Sequence, residues 1–392
     1  MPVPGSLVAR ISPGRAIALE VLTRVAQGGY ASDTLREMAA PLAARDAGLA
    51  SQIVFGCLRF QKQLDFLIEM YSGRSVAKLD EPVLLSLRAA IFQVRYLERV
   101  PAHAAVHDAV EWVKARARSA AGFVNAVLRK VNRQPVVWPD LATELSIPEW
   151  MLARWTAHFG SKAARNIAAA ALREPQAYVR ASGKAVPRNE IPDGTEQSSV
   201  ALRLQDISSQ TIVPLLRLEP RNSYLDLCSA PGNKTLQALE TKLSLAVACD
   251  ISLARIREIP PVCARVVLDA AAPLPFGRTF DRILIDAPCS GTGTLGRNPE
   301  IKWRVQSEDF ERFGEKQFRI AEQGIQWLAP GGVLVYATCS LEKEENGAVV
   351  RKLLTRHPEL RCEREVWRLP GRDEGDGFYA AVMSRIAVSP PA

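Results

Sequence analysis

The stretch NSYLDLCSAPGNKTLQALE, residues 222–240, decides the fold of the C-terminal half of the chain. Residues 222–228 form a short apolar run typical of a buried strand, and a helix is predicted over 233–241. The turn between them is neither a GxGxxG motif nor a Walker loop, so a dinucleotide or ATP is not the first ligand expected. A helix N-terminus at this point would suit a carboxylate.

Four more apolar runs continue the pattern towards the C-terminus, and several of them are rich in Val, Ile and Leu. They occupy residues 243–250, 263–270, 280–288 and 331–339, and helices are predicted between most of them, at 252–258 and 308–328. Alternation of strand and helix predicts a Rossmann-like α/β domain, with a parallel sheet and helices on both faces. Ligands of such sheets bind at the carboxyl ends of the strands.

The N-terminal half has the apolar pattern of helices and not of alternating strands and helices. Apolar residues recur at helical spacing through residues 14–135, and a proline-containing stretch ends this all-α block. Two further helices are predicted within 147–180, and a loop or short hairpin over 181–200. The expected division is therefore a helical domain at 1–138, a connecting part at 139–205 and the α/β domain at 206–392.

Composition narrows the class of protein. Hydrophobic residues make up 47% and charged residues 23%, which is typical of a soluble globular protein. No apolar run approaches the roughly 18 residues of a membrane span, and residues 1–15 lack the apolar core of a signal peptide. The seven cysteines form no CxxC pair and the four histidines no ligand cluster. We therefore expect a cytoplasmic protein without disulfide framework, metal site or membrane partner.

The net charge of +8 is concentrated near the N-terminus, where residues 1–135 hold 18 basic against 11 acidic residues. Residues 114–133 carry no acid, and their six basic side chains are Lys114, Arg116, Arg118, Arg129, Lys130 and Arg133. Such a cluster indicates a polyanion partner, because phosphates are attracted to it. A solvated helix face is the alternative.

Acidic residues follow the predicted strands at the ligand-binding edge. Asp250 ends the second strand and can accept both hydroxyls of a ribose, and Asp269 ends the third, where it can accept from an adenine amine. A ligand with a ribose, an adenine and a carboxylate held at the helix N-terminus is S-adenosylmethionine. Each acid alone is more often a helix cap or a solvated loop residue, but acids at successive strand ends favour the cofactor site.

Two cysteines also follow strands, Cys289 after Asp286 and Cys339 after the next strand. A thiolate that adds to carbon-6 of a cytosine makes carbon-5 nucleophilic enough to take a methyl group, and an acid such as Asp286 can assist at ring nitrogen-3. A base must then remove the carbon-5 proton before the thiol leaves. We interpret the glycines after Cys289 as room for a flipped base. Burial as small hydrophobes is the common alternative, and it suits Cys57, Cys249 and Cys263.

The sequence resembles the RNA cytosine-C5 methyltransferases of the NOP/NSUN/Sun superfamily, and especially their bacterial 16S ribosomal RNA branch. The matching pieces are DLCSAPGNKT, CDIS, VVLDA, DAPCSGTGTLGRNPEIKWR, LAPGGVLVYATCSLEKEEN and DGFYAA, in order through the C-terminal half. The N-terminal pieces RAIALEVLTRV, FGCLRFQKQLDFLI and GFVNAVLRKVNR resemble the NusB-like helical RNA-binding domain of this family. The resemblance implies a class I S-adenosylmethionine-dependent methyltransferase.

The resemblance also implies roles for individual residues. Cys339 would be the nucleophile, Cys289 would assist product release, and Asp286 would serve both base and cofactor. Cofactor contacts would come from Cys228, Ser229, Ala230, Pro231, Gly232, Asn233, Lys234, Asp250 and Asp269, and RNA contacts from the basic residues of 114–133 and from Lys302. The family usually has a second glycine where this chain has Asn233, and asparagine tolerates left-handed backbone angles best among non-glycine residues.

The implied partner is 16S ribosomal RNA, either naked or within a partly assembled small subunit, bound by a monomeric enzyme. Two alternatives stay open at the sequence level. A cytosine-C5 methyltransferase of transfer RNA would carry the same catalytic half. A NusB-like RNA-binding adaptor with an idle catalytic half would carry the same helices.

Overall fold

The computed structural model describes residues 11–181, 183–191 and 203–386. Residues 1–10, and the part of the predicted 181–200 loop from 192 onward, lie outside this description. The chain forms two compact units. One consists of the residues up to Arg173 together with Asn298–Trp303, and the other of Glu174–Arg297 together with the residues from Arg304 onward. The predicted division at 138 and 205 stays a prediction, because compactness alone divides the chain at 173/174.

The first unit is helical, as predicted. Its helices are α1 (Pro13–Ala26), α2 (Ala31–Ala39), α3 (Ala44–Arg59), α4 (Gln61–Ser72), α5 (Glu81–Tyr96), α6 (Ala102–Arg116), α7 (Ala121–Leu128), α8 (Leu141–Glu144), α9 (Glu149–Phe159) and α10 (Ser161–Ala170). Fully buried side chains such as Ile53, Leu64 and Trp112 form one core between them. Gly56 lets α3 approach α5, since a Cβ at this position would lie 1.9 Å from Cζ of Phe92.

The second unit contains the sheets. Its elements are β1 (Tyr178–Ala181), β2 (Lys184–Pro187), β3 (Arg203–Leu204), α11 (Ile207–Gln210), β4 (Ser223–Asp226), α12 (Asn233–Ala238), β5 (Leu245–Asp250), α13 (Leu253–Ile256), β6 (Ala264–Val267), β7 (Phe280–Asp286), α15 (Asp309–Gln326), β8 (Leu328–Thr338), α16 (Gly347–Arg356), β9 (Leu360–Arg368) and β10 (Phe378–Arg385); α14 (Ile301–Arg304) begins in the first unit. β1 and β2 form the predicted hairpin, which β3 extends to three antiparallel strands.

The large sheet has seven strands in the order β6-β5-β4-β7-β8-β10-β9. The five predicted strands are parallel, as expected. β9 and β10 were not predicted as strands, and β10 runs antiparallel to both of its neighbours. The sheet is therefore mixed and Rossmann-like. Its strand order reverses between β4 and β7, and a crevice for ligands forms at such a switch point.

Apolar side chains on the two faces of this sheet form separate cores. Leu225 and Ile283 point to the face that α15 and α16 cover, whereas their neighbours Tyr224 and Leu284 point to the face of α12. This alternation follows from the two-residue period of a strand. Helices therefore cover both faces of the central strands.

Residues 298–303 belong to the helical unit although they lie within the C-terminal half of the sequence. Lys302 is buried, and its Nζ donates to the carbonyls of Arg59 and Ser146, each at 2.8 Å. Nε1 of Trp303 donates to the carbonyl of Leu58 at 2.7 Å. Two of these acceptors, the carbonyls of Leu58 and Arg59, belong to the last two residues of α3.

No helix in the described part of the chain is long and apolar enough to cross a bilayer.

Candidate active site

The two predicted cysteines meet at the ends of adjacent strands. β7 leads through Pro288 into Cys289, and β8 leads directly into Cys339. Their Sγ atoms lie 3.2 Å apart, and both residues are half-buried. The hydrogen bond with Cys339, followed by burial, raises the pKa of the Cys289 thiol well above its usual value. Cys289 therefore favours its protonated thiol form.

The loop that follows Cys289 is tightly fixed. The amide of Gly293 donates to the carbonyl of Cys339 at 2.9 Å, and its carbonyl accepts from the amide of Gly377 at 2.8 Å. A Cβ at Gly293 would lie 2.4 Å from the carbonyl oxygen of Gly377. Gly293 therefore permits close backbone packing, and the interpretation that it makes room for a flipped base is wrong for this position.

Arg297 holds the far end of the same loop. Its Nε contacts Oδ2 of Asp376 and its Nη2 contacts Oδ2 of Asp206, both at 2.7 Å. Burial, followed by the charge of Asp206, raises the pKa of Asp376 to about 7, although Arg297 opposes the shift. One guanidinium therefore joins the turn before α11 to the DGF turn before β10.

Lys234 and Asp286 form an ion pair beside the thiols. Nζ of Lys234 lies 2.6 Å from Oδ2 of Asp286, and the lysine is more deeply buried than the aspartate. Burial acts to lower the pKa of Lys234, but the charge and hydrogen bond of Asp286 outweigh it and raise the pKa overall. Lys234 therefore stays an ammonium group, and this group contacts the carboxylate of Asp286.

A cavity of about 200 Å³ lies at the carboxyl ends of β4, β5 and β7. Five of the predicted cofactor residues line it, namely Cys228, Ala230, Asp250, Asp269 and Asp286. Its other lining residues are Leu227, Ile251, Arg255, Leu268, Ala270, Pro288, Lys316 and Ile320. The cavity thus combines apolar walls with three carboxylates, which fits the mixed polarity of a nucleoside ligand.

Two of the three carboxylates also hold their local backbone. Oδ2 of Asp250 accepts from the amide of Ala230 at 3.2 Å, and its Oδ1 accepts from the amide of Ser252 at 2.9 Å. Oδ1 of Asp269 accepts from the amide of Ala271 at 2.9 Å. These contacts fix the backbone next to the strand ends rather than cap a helix, since the N-cap of α13 is Ser252, and they coexist with the position of both acids in the cavity wall.

The turn before α12 is shaped by Gly232, whose φ is +102°. A Cβ here would lie 2.6 Å from Cγ1 of the buried Ile259. Asn233 is the first residue of α12 and is not among the described residues with positive φ. The departure from the family pattern at Asn233 therefore falls on an ordinary helical position, and no left-handed angle is required there.

The remaining predicted residues of this turn do not line the cavity. Ser229 is buried and donates from its amide and its Oγ to the carbonyl of Cys249. Pro231 and Asn233 line a second cavity, of about 450 Å³. Asp226 is fully buried and accepts from Oγ1 of Thr235 at 2.7 Å, and burial raises the pKa of Asp226 to about 7.

Sequence reasoning missed Arg255, Lys316 and Glu345. Nη2 of Arg255 donates to the carbonyl of Ala230 at 2.7 Å, which ties α13 to the cofactor turn. Lys316 reaches the cavity because it lies one helical turn before Ile320 on α15. Glu345 is buried and its carboxylate contacts Ser290 and Ser340. The motif SLEKEEN was visible, but nothing in it distinguishes this glutamate from its acidic neighbours.

The predictions for the other cysteines hold for two of them. Cys57 and Cys249 are buried, and burial raises the pKa of each thiol to about 12. Cys263 is only half-buried at the edge of the core. Within the described residues, no three His, Cys, Asp or Glu side chains are grouped to hold a metal ion.

The predicted RNA contacts lie on the helical unit, and most of the basic side chains of 114–133 already have partners. Lys114 pairs with Glu111 and Arg116 with Glu20, while Lys130 and Arg133 donate to backbone carbonyls. Arg118 and Arg129 are exposed. The prediction that Lys302 contacts RNA is wrong for this conformation, because its Nζ is buried against two backbone carbonyls.

Two family models match this chain. The model described as 16S rRNA methyltransferase RsmB/F matches residues 213–384, and the model of the NusB family matches residues 12–133. A Yersinia pestis protein named ribosomal RNA small subunit methyltransferase B is 31% identical, and the match covers 94% of this chain and 97% of that protein. A Bacillus subtilis protein named probable ribosomal RNA small subunit methyltransferase B is 29% identical over 88% of this chain and 89% of that protein.

Solved structures agree on the fold. The crystal structure of PH0851 matches with a TM-score of 0.76 at 20% identity, over 98% of this chain and all of that chain. A methyltransferase homolog protein from Pyrococcus horikoshii matches with a TM-score of 0.53 at 22% identity, over 64% of this chain and all of that chain.

Proposed function

Because this chain belongs to the ribosomal RNA small subunit methyltransferase B family, we propose that it methylates carbon-5 of a cytosine in 16S ribosomal RNA with S-adenosylmethionine as methyl donor. The observation that supports this most is the pair of sulfur atoms, 3.2 Å apart, beside a cavity lined by strand-end acids. A single thiol would suit many enzymes, whereas two thiols at one strand edge suit both the attack on a pyrimidine and its reversal.

The cavity residues fit the proposed cofactor. Asp250 would accept from the ribose hydroxyls and Asp269 from the adenine amine, and the apolar residues Leu268 and Ile251 would contact the planar base. When bound, S-adenosylmethionine supplies an electrophilic methyl group. Asp286 lines the same cavity and lies three residues before Cys289, so cofactor and cytosine would share this carboxylate.

We assign the attack to Cys339. The raised pKa of Cys289 favours a state in which Cys289 keeps its proton and hydrogen-bonds to the other sulfur. The sulfur of Cys339 then gives up its proton and bonds to cytosine carbon-6, the ring electrons move towards nitrogen-3, and nitrogen-3 takes up a proton. The carboxylate of Asp286, oriented by Lys234, accepts a hydrogen bond from the protonated nitrogen-3. After methyl transfer, the carbon-5 proton must be removed and the bond from carbon-6 to sulfur broken. Cys289 lies within reach for this release step.

The test compares three alanine variants on a 16S RNA substrate. Cys339→Ala should form neither product nor a covalent RNA adduct. Cys289→Ala should accumulate an adduct that survives denaturing electrophoresis. Cys362→Ala, a half-buried cysteine on β9, should behave like the wild type. An adduct in Cys339→Ala and none in Cys289→Ala would reverse the assignment.

Substrate choice is tested separately with tritiated methyl transfer. Naked 16S RNA, a partly assembled small subunit and bulk transfer RNA are offered to the wild type, and bisulfite sequencing then locates the modified cytosine. Counts in transfer RNA alone would favour the transfer RNA alternative. RNA binding without counts in any substrate would favour the adaptor alternative.

A further inference from the structure

We propose that Glu345 is a positioning residue that holds the turns carrying Cys289 and Cys339 at a fixed separation. The inference rests on the proposed two-thiol mechanism, since only that mechanism needs both sulfur atoms in register. It concerns a buried carboxylate in the loop between β8 and α16, outside the cavity wall.

The carboxylate of Glu345 is completely buried, and each oxygen binds part of the thiol machinery. Oε2 accepts from the amide of Ser290 at 2.8 Å. Oε1 accepts from Oγ of Ser340 at 2.5 Å and also from Oγ of Ser290. Ser290 directly follows Cys289 and Ser340 directly follows Cys339, so one carboxylate spans the residues next to both thiols.

The two serines also contact each other, with 3.1 Å between their Oγ atoms. The serine pair and the cysteine pair therefore form two successive contacts between the same two turns. The β7 turn is held through a backbone amide and the β8 turn through a side-chain hydroxyl. A displacement of the carboxylate would thus be transmitted to both cysteines through a single peptide unit each.

Glu345 is itself held from three sides. Nε2 of Gln317 on α15 donates to its Oε2 at 2.9 Å and to the carbonyl of Pro288 at 3.0 Å. The hydroxyl of Tyr336 donates to the carbonyl of Glu345 at 2.5 Å. The next residue, Asn346, binds Oγ1 of Thr338 and the carbonyl of Ser340 on the two sides of Cys339. The glutamate is therefore a fixed point rather than a mobile side chain.

Among the described residues, no basic side chain forms a salt bridge with Glu345, and its partners are neutral donors. Burial raises the pKa of Glu345, and the hydrogen bonds from Ser290 and Ser340 oppose this. The backbone amide of Ser290 can only donate, so its partner oxygen must accept. A glutamine at this position keeps the shape but must direct its NH₂ group at one of these donors.

The test uses Glu345→Gln, with Glu315→Gln as the matched control, because Glu315 is an exposed glutamate on α15 that pairs with Lys352. The first measurement is the rate at which diamide oxidises Cys289 and Cys339 to a disulfide. A sulfur–sulfur bond forms, and both thiol hydrogens pass to the nitrogen atoms of diamide. The product is quantified by peptide mapping, which separates this pair from the other five cysteines.

We expect Glu345→Gln to form this disulfide several-fold more slowly than the wild type, and Glu315→Gln to match the wild type. In methyl transfer, kcat should fall on the order of 10- to 100-fold, because small misplacements of reacting groups cost this much. KM for S-adenosylmethionine should stay within about twofold, since Glu345 does not line the cavity. If Glu345 only stabilised the fold, Glu345→Gln would lower the free energy of unfolding but would not lower kcat at an unchanged KM.

Unchanged disulfide rate and kcat in a folded Glu345→Gln protein would overturn the proposal. If that variant does not fold, Ser340→Ala removes one hydroxyl from the same carboxylate and should show the same two effects at smaller size; wild-type values would again overturn it. A wild type that transfers no methyl group would refute the proposed function, while the disulfide rates would still decide whether Glu345 positions the thiols.

Discussion

Replacing Gly232 with alanine should destabilise the protein and weaken cofactor binding. Its φ of +102° costs an L-residue roughly 1–2 kcal/mol. The added Cβ would also lie 2.6 Å from Cγ1 of Ile259, which is fully buried and cannot withdraw freely. Overpacking of this kind costs about 1–3 kcal/mol, so the free energy of unfolding should fall by about 2–5 kcal/mol.

Gly331→Ala separates the two contributions. Gly331 has a φ of +75°, but a Cβ there meets nothing within 4 Å, so this variant should lose only the backbone cost of roughly 1–2 kcal/mol. In an Ile259→Ala background, Gly232→Ala should likewise cost only that amount. The double-mutant cycle therefore measures the contact with Ile259 directly.

Urea denaturation gives the stabilities, and calorimetric titration with S-adenosylhomocysteine gives the affinity. Ala230 precedes Pro231 and Gly232 and lines the cavity, so a displaced turn should raise Kd by about tenfold or more, which corresponds to about 1.4 kcal/mol. Equal losses in Gly232→Ala and Gly331→Ala, with no relief from Ile259→Ala, would refute the reasoning.

Three further predictions concern charged side chains. Burial, followed by the charge of Arg59, lowers the pKa of Lys302 to about 7 in the folded chain. Between that value and roughly 10.4 the unfolded state binds one more proton than the folded state, so the free energy of unfolding rises with pH. Relative to Lys302→Met, the wild type should therefore gain about 2 kcal/mol in urea denaturation from pH 7 to 9. Parallel pH profiles of the two proteins would contradict this. Arg297→Lys cannot bridge two carboxylates and should cost about 1–3 kcal/mol in thermal unfolding, whereas an unchanged Tm would disprove the clamp. Arg118→Gln combined with Arg129→Gln should weaken RNA binding and reduce the salt slope by about one per phosphate contact in filter binding, and an unchanged slope would remove these residues from the interface.

Much of the architecture was accessible from local pattern. The apolar runs predict all five parallel strands, because buried strands need side chains for both faces of a sheet. β9 escaped prediction because it is only half-buried and carries charges, as in LRCEREVWR. The buried run of β10 was missed although it has the same apolar character as the predicted strands. The strand order also could not be read, and it is this order that brings Cys289 and Cys339 together.

Individual side chains were harder to predict than elements. The charge of Lys302 looked like an RNA contact, yet its burial depends on carbonyls from residues 59 and 146, far away in sequence. The positioning role of Glu345 could not be predicted, because it depends on a contact with Ser290, which lies 55 residues earlier. Residue type indicates what a group can do, whereas its partners are set by contacts that cross the whole chain.

The position of residues 298–303 bears on how such enzymes can be recombined. Six residues encoded within the catalytic half are structural members of the helical module, with Lys302 and Trp303 completing the end of α3. The helical module is consequently built from two separate segments of the chain, so a single cut in the sequence cannot separate it from the catalytic module. Any exchange of the helical module between relatives, in the laboratory or over evolution, has to carry this hexapeptide with it as a matched insert.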